Sequence, residues 1–246
     1  MTKAEIQFVR SLSDKRTRDE HGVFIAEGDK LIGEILSSHL KIRKIYALAG
    51  HLEPHAEIVS EKEMERISQL KSASSSLAIV EQPRHTTPHT APSDALTLAL
   101  DGVQNPGNLG TIIRLADWFG ISDIFCSTDC ADCYNPKVIQ ATMGAILRVR
   151  VHYLPLAQFL DRTKQRGVAI YGTMLDGENI YSAELKSEGV IVMGNEGKGV
   201  SKECQRSFTH SLLIPSFPPE RQGSESLNVA MATGIVCAEF RRRMTL

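Results

Sequence analysis

LTLALDGVQNPGNLGTIIRLADWFG, residues 96–120, changes its periodicity halfway along. Leu96 to Leu100 form a short, nearly continuous apolar run, the pattern of a strand buried on both faces. Asn105-Pro106-Gly107-Asn108 is a turn by composition, and Asn108 is suited to cap whatever follows. Beyond it, apolar residues recur at helical spacing. Ile112, Leu115, Ala116 and Phe119 share one face, and Gly120 stops the run. A buried strand, a turn and an amphipathic helix together predict the first half of a βαβ unit.

The same alternation continues to the C-terminus. DIFCS, RVRVHYL, VAIYGTML, GVIVMG and HSLLIPS read as strands, separated by the helical stretches NPKVIQATMGA and LAQFLDRTKQRG, and ESLNVAMATGIVCAEFRRR ends the chain as a long helix. Strands alternating with helices predict an α/β fold whose mostly parallel sheet carries helices on both faces. Ligands of such sheets bind beyond the carboxyl ends of the strands. Upstream, IQFVRSL (helix), GVFIAEG (strand) and DKLIGEILSSH (helix, with Leu31, Ile32, Ile35 and Leu36 apolar) open a smaller module. KIRKIYAL, a helix over Met64–Leu70 and SSSLAIVEQ complete it. The composition turns proline- and threonine-rich in EQPRHTTPHTAPSD, with too little apolar surface to bury. The expected organisation is a small α/β domain over 1–82, a linker over 83–95 and a larger domain over 96–246.

At 246 residues, 42% hydrophobic and 23% charged, the chain has the composition of an ordered globular protein. No apolar run approaches the ~20 residues needed to span a bilayer, and the N-terminus lacks the apolar segment of a secretory signal. A cytoplasmic protein without membrane association is expected. The net charge of −1 excludes a generally basic nucleic-acid coat but allows a local patch such as Lys15, Arg16 and Arg18. Cys126, Cys130 and Cys133 invite a zinc reading, but no CxxC recurs at zinc-ribbon spacing, so no metal is expected. His85 and His89 lie among prolines that oppose the helix their spacing would need.

Three stretches carry candidate chemistry. GVIVMGNEGKGVS (189–201) puts glycines and a lysine after a strand, as a phosphate-binding loop does. The Walker spacing fails, because Lys198 is followed by Gly199 and the position five before Gly197 is Val192; the dinucleotide fingerprint fails at Lys202. A loop for another cofactor and a plain tight turn both remain open. In the helix after Asn108, Arg114 sits among apolar neighbours, where burial would demand a partner. In LLIPSFPPERQGSESLNVAMATGIV, Ser226 is placed to cap the last helix, and Asn228 reads as first-turn polarity.

In this order, the three stretches resemble the three motifs of the SpoU/TrmH family of RNA 2′-O-ribose methyltransferases, within the SPOUT superfamily. Asn105-Pro106-Gly107-Asn108 with Gly110 and Arg114 resembles the first motif, and Gly194-Asn195-Glu196-Gly197 through Gly199 the second. Ile214-Pro215 with Ser226-Leu227-Asn228-Val229-Ala230 resembles the third. The N-terminal stretch SLSDKRTRDEHGVFIAEGDKLIGEIL is similar to the small RNA-binding domain, akin to a ribosomal protein, that many members carry first. Ser216-Phe217 and the long FPPERQGSE loop depart from the family's third motif.

The resemblance implies a deep trefoil knot in the C-terminal domain and S-adenosyl-L-methionine as cofactor. It implies methyl transfer to a ribose 2′-hydroxyl of structured RNA, ribosomal more than transfer, by a homodimer joined through the knotted domains. Arg114, Asn105, Glu196, Ser226 and Asn228 would serve catalysis: Arg114 and Asn105 on the nucleotide, Glu196 orienting Arg114 or a backbone group. The cofactor would lie in knot loops formed by Thr173, Met174 and Leu175; by Met193, Gly194, Asn195, Gly197 and Gly199; and by Leu213, Ile214 and Pro215, with Ser226 and Leu227. Lys15, Arg16, Arg18 and Glu27 would contact RNA. A non-catalytic RNA-binding or assembly factor keeping the same fold is the alternative.

Overall fold

The computed structural model describes residues 1–218 and 226–244, so Pro219–Glu225 of the long FPPERQGSE loop lie outside the described residues. In chain order the elements are α1 (Lys3–Ser11), α2 (Lys15–His21), β1 (Val23–Glu27), α3 (Asp29–Leu36), β2 (Ile42–Ala47), β3 (Glu57–Ile58), α4 (Glu61–Ile67) and β4 (Ser76–Glu81). There follow β5 (Leu96–Leu100), α5 (Pro106–Trp118), β6 (Asp123–Cys126), α6 (Pro136–Thr142), β7 (Arg150–Tyr153), α7 (Leu156–Gln165), β8 (Ile170–Asn179), β9 (Gly189–Met193), α8 (Lys202–Gln205), β10 (His210–Leu213) and α9 (Val229–Arg243). They divide into two compact units: Met1–His85 with Asp132–Leu147, and Thr86–Ala131 with the chain from Arg148 onward.

In the first unit β4 runs antiparallel between β1 and β2, in the order β1-β4-β2-β3. Ile6, Val9 and Leu12 pack on Val23, Ile25 and Ile79 to form its core. Helix α6 packs on β1, where Phe24 stacks on Tyr134 with ring centroids 5.1 Å apart. Two residues expected to contact RNA are instead part of this interior. Arg18 is 1% exposed, and its Nη1 donates to the carbonyls of Leu12 and Ser13 at 2.8 and 2.7 Å. Glu27 is buried and accepts from Ser68 Oγ at 2.6 Å and the Gln69 N–H at 2.8 Å, which ties down the chain after α4. A buried charge needs such partners, and these leave neither side chain free for a nucleic acid. Lys15 and Arg16 remain exposed, Lys15 paired to Asp19.

The second unit is built on six parallel strands in the order β10-β8-β9-β5-β6-β7. The central β5 and β9 are buried along their whole length, as their continuous apolar runs require. From β5 the chain steps outward through β6 and β7, and later returns to place β9 on the other side of β5. The loops after β5 and β9 therefore leave the carboxyl edge in opposite directions, the situation that opens a crevice in parallel sheets. Phe125, Phe159, Leu160, Ile170, Val190 and Val192 belong to a core cluster of this unit. Helix α5 contacts both β6 and α9, so its buried stripe is Leu109, Ile112, Ile113 and Ala116. Leu115 and Phe119, expected on that stripe, are half-buried.

At the amino end of β6, Asp123 receives Arg150 Nε at 2.7 Å, Arg150 Nη2 at 2.5 Å and the ring of His152 at 2.9 Å. Burial pushes this carboxyl's pKa up, but the bonds from His152 and Arg150 outweigh it and hold the group down at about 2. The folded pKa lies below the unfolded value of ~3.9, so the stabilisation is present above about pH 4 and lost as pH falls from there towards 2. Asp123→Asn is expected to cost about 2 kcal/mol at pH 7, with the difference from wild type closing towards pH 2. Urea unfolding across that pH range checks this; a difference that does not change with pH sinks it.

Candidate active site

The loop after β5 enters α5 through Asn105. Its side chain accepts from the N–H groups of Gly107 and Asn108, at 2.8 and 3.1 Å, and Pro106 takes the first helical position. Asn105 is therefore the cap, and Asn108 is not. The reason is legible in the sequence: proline is favoured at the first helical position, so the residue before it is the cap. The Asn108 side chain, in the first turn, is not used in capping the helix.

The loop after β9 closes as a three-residue hairpin. Asn195 and Gly199 exchange both backbone hydrogen bonds, at 3.0 and 2.9 Å, and Glu196, Gly197 and Lys198 form the tip. Gly199 adopts φ 68°, the left-handed conformation that ends such loops. At Gly194 a β-carbon would stand 2.3 Å from the carbonyl carbon of Gly199, so no side chain fits there. The Asn195 side chain accepts from the N–H groups of Gly197 and Lys198 and donates to Gly102 O at 2.7 Å. One amide thus shapes the hairpin and fastens it to the loop after β5.

The tip carries the residue that joins all three sequence stretches. Glu196 Oε1 accepts from Asn108 Nδ2 at 2.7 Å and from Asn228 Nδ2 at 2.6 Å, and it lies 3.4 Å from the N–H of Val229. Asn228 Nδ2 also reaches Asn108 Oδ1 at 3.1 Å. The carboxylate faces the first turns of both α5 and α9, where helix dipoles favour negative charge. Asn228, rather than Ser226, caps α9, accepting from Ala230 and Met231 at 3.0 and 3.2 Å. Ser226 and Leu227 are exposed in the segment just before it.

Arg114 is exposed on α5, and among the described residues it makes no hydrogen bond or ion pair, with Glu196 or otherwise. It shares its exposed stripe with Gly107, Thr111 and Trp118. An unpaired guanidinium on the same helix that supplies Asn108 to the Glu196 clasp is a cation free to meet an incoming anion.

The segments expected to hold a cofactor meet at the carboxyl ends of three neighbouring strands, β10, β8 and β9. Thr173–Leu175, expected as a loop, lies within β8. The register nonetheless slips there, because β10 pairs with Gly172 and then with Glu178. Thr173 to Gly177 therefore pair with neither neighbouring strand, leaving backbone donors and acceptors available, while the Thr173 hydroxyl donates to Val192 O at 3.0 Å. Beside them stand the half-buried Met174, Leu213, Ile214 and Pro215 and the exposed Leu175, whereas Met193 is buried. Unused amide groups next to aliphatic side chains suit a nucleoside with an aliphatic, sulfur-bearing amino-acid arm, so the edge fits S-adenosylmethionine. No group of three or more His, Cys, Asp or Glu side chains among the described residues could hold a metal ion.

Comparison with known proteins agrees with this geometry. The sequence profile described as the SpoU rRNA Methylase family matches residues 95–238, and that of an MRM3-like substrate binding domain matches residues 3–85. The chain is 29% identical over 240 residues to the 23S rRNA (guanosine(2553)-2′-O)-methyltransferase RlmP of Bacillus subtilis, covering 94% of each. A putative RNA methyltransferase of the TrmH family from Porphyromonas gingivalis superposes with a TM-score of 0.87, at 38% identity and 99% coverage of both chains. An AdoMet-bound rRNA methyltransferase from Sinorhizobium meliloti does so with a TM-score of 0.86, at 30% identity, covering all of this chain and 97% of the other.

Proposed function

The chain belongs to the SpoU rRNA methylase family, and from that membership and the site we infer that it methylates a ribose 2′-hydroxyl of ribosomal RNA, using S-adenosylmethionine. The observation that carries the site assignment is the Glu196 clasp, because it joins Asn108 and Asn228 across three motifs distant in sequence. Residues Thr173 to Leu175, Met193 to Gly199, Leu213 to Pro215 and Leu227 would hold the cofactor. When bound, it supplies a methyl group made electrophilic by its sulfonium sulfur.

The remaining work falls to this chain's side chains. Asn108 takes the ribose-positioning role expected of Asn105, and Glu196 and Asn228 hold it in place. Arg114 orients the 2′-hydroxyl and an adjacent RNA phosphate. A guanidinium holds its proton too firmly to act as a base, so the phosphate assists in removing the hydroxyl proton. Ser226 meets the nucleotide beside Asn228. The first unit contacts RNA through Lys15 and Arg16, and the second carries out methyl transfer.

A trefoil knot formed by the segments around β8, β9 and β10 and a homodimer belong to the same reading. Trp118 and Met231, 83% and 63% exposed on α5 and α9, support a second copy packed on those helices. No helix among the described residues is long and apolar enough to cross a membrane, and a ribosomal substrate argues for the cytoplasm.

The test is purified protein with S-adenosylmethionine and ribosomal RNA. Ribose methylation makes one phosphodiester resistant to alkali, which maps the site. Glu196→Ala is expected to lower the rate about 10²-fold by releasing Asn108 and Asn228. Cofactor and RNA binding without an alkali-resistant linkage would identify an RNA-binding or assembly factor instead.

A further inference from the structure

Beneath the loop that leads from β5 to Asn105 lies a pair of thiols. Cys126 is buried at the end of β6, and Cys130 is half-buried in the turn that follows. Cys130 Sγ stands 3.2 Å from the N–H of Val103, 3.4 Å from Ser127 Oγ and 3.3 Å from the carbonyl of Leu100, the residue that pairs with Cys126 between β5 and β6. Leu100 and Val103 bracket the start of the loop. Within it Gly102 donates to Ser127 Oγ at 2.9 Å and accepts from Asn195 at 2.7 Å. The sulfur thus supports a stretch that fastens the hairpin of Glu196, through Asn195 and Gly102, to the loop leading into α5.

We propose that Cys130 is a redox-sensitive modification site that a peroxide oxidises to a disulfide with Cys126, slowing methyl transfer by displacing the loop between β5 and α5. The rate half of this rests on the methyltransferase reading; the disulfide half does not. The chemistry is consistent with the surroundings of the sulfur. The hydrogen bond from Cys126, with those from Ser127, Val103 and Gly102, outweighs burial and brings the Cys130 thiol down to about 7, so much of it is thiolate at neutral pH. Burial pushes Cys204 and Cys237 up to about 12. The Cys130 thiolate attacks one peroxide oxygen, the O–O bond breaks, and Cys130 becomes a sulfenic acid as hydroxide leaves. The Cys126 sulfur then attacks that of Cys130, the S–S bond forms and water departs. Two thiols are oxidised, and one peroxide is reduced to two waters.

A covalent S–S bond is shorter than any non-bonded contact of two sulfurs, so the sulfurs of these two free cysteines must close together. Cys126 is anchored in β6, so the movement falls on Cys130 and on the N–H and carbonyl it supports. The oxidised sulfur also loses its charge, and with it most of its hold on Val103.

The experiment treats the full-length protein with hydrogen peroxide, blocks remaining thiols and digests with Asp-N protease. That enzyme cuts before Asp129 and Asp132 and separates Cys126, Cys130 and Cys133 onto different peptides. A Cys126–Cys130 disulfide, reversed by dithiothreitol together with a several-fold recovery of methyl transfer, is expected. Cys126→Ser should leave Cys130 as a sulfenic acid captured by dimedone, and Cys130→Ser should keep its rate in peroxide. The proposal is overturned if Cys130 reacts no faster than Cys204 and Cys237, if no Cys126–Cys130 linkage forms, or if it forms without changing the rate. A reduced protein that transfers no methyl group refutes the functional reading and the rate half together, while the peptide map still decides the disulfide.

Discussion

Arg114→Ala is expected to leave the second unit folded and S-adenosylmethionine bound, and to reduce methyl transfer by about 10²–10⁴-fold. The fold should tolerate the change because the side chain is exposed and among the described residues has no partner to strand, and alanine favours a helix. The site should not tolerate it, because no other described side chain on the exposed stripe of α5 carries a positive charge. Arg114→Lys should recover only part of the rate, since an ammonium cannot make the two parallel hydrogen bonds of a guanidinium fork. Single-turnover transfer to ribosomal RNA and calorimetry with the cofactor separate the two effects. Near-wild-type transfer in the alanine variant would remove Arg114 from the mechanism.

Asp132→Ala is expected to destabilise the first unit by about 3–5 kcal/mol. Arg18 Nη2 donates to Asp132 Oδ2 at 2.5 Å, with side chains only 1% and 12% exposed, and Arg18 Nε is already buried without a partner. Removing the carboxylate leaves a buried cation uncompensated. Replacing the arginine does not, so Arg18→Met should cost clearly less than Asp132→Ala, because it fills the space and removes the charge. Thermal and urea unfolding of the three proteins decide this. Equal losses in the two variants would mean that the ion pair itself contributes little and that Arg18 acts through packing alone.

Asp132 also shows where reading the chain linearly stops. Its segment, Asp132–Leu147, follows β6 in sequence yet belongs to the first unit, where α6 covers β1. Nothing in the local pattern of YNPKVIQATMGA names its partner, since an amphipathic helix records that one face is buried but not against what. Arg18 illustrates the same limit from the other side. In a polar run it looks like a solvated cation, and only the carboxylate supplied from position 132 makes its burial tolerable.

The site was legible in part. Composition and spacing located all three stretches, and the Asn-Pro pair contained the evidence that Asn105 is a cap. The partner of Glu196 was not legible. Arg114 was the natural guess for a carboxylate, but α5 turns that side chain outward and presents Asn108 to the hairpin.

Local pattern alone determined the α/β class, nearly every strand and helix, and the parallel sheet, because burial on both faces and helical spacing are written into the order of apolar residues. Tertiary structure alone decided that β9 lies beside β5, that the Glu196 hairpin meets the first turns of α5 and α9, and that a late segment completes the first unit. Those facts depend on contacts between residues far apart in the chain, and periodicity encodes which face is buried without encoding what buries it.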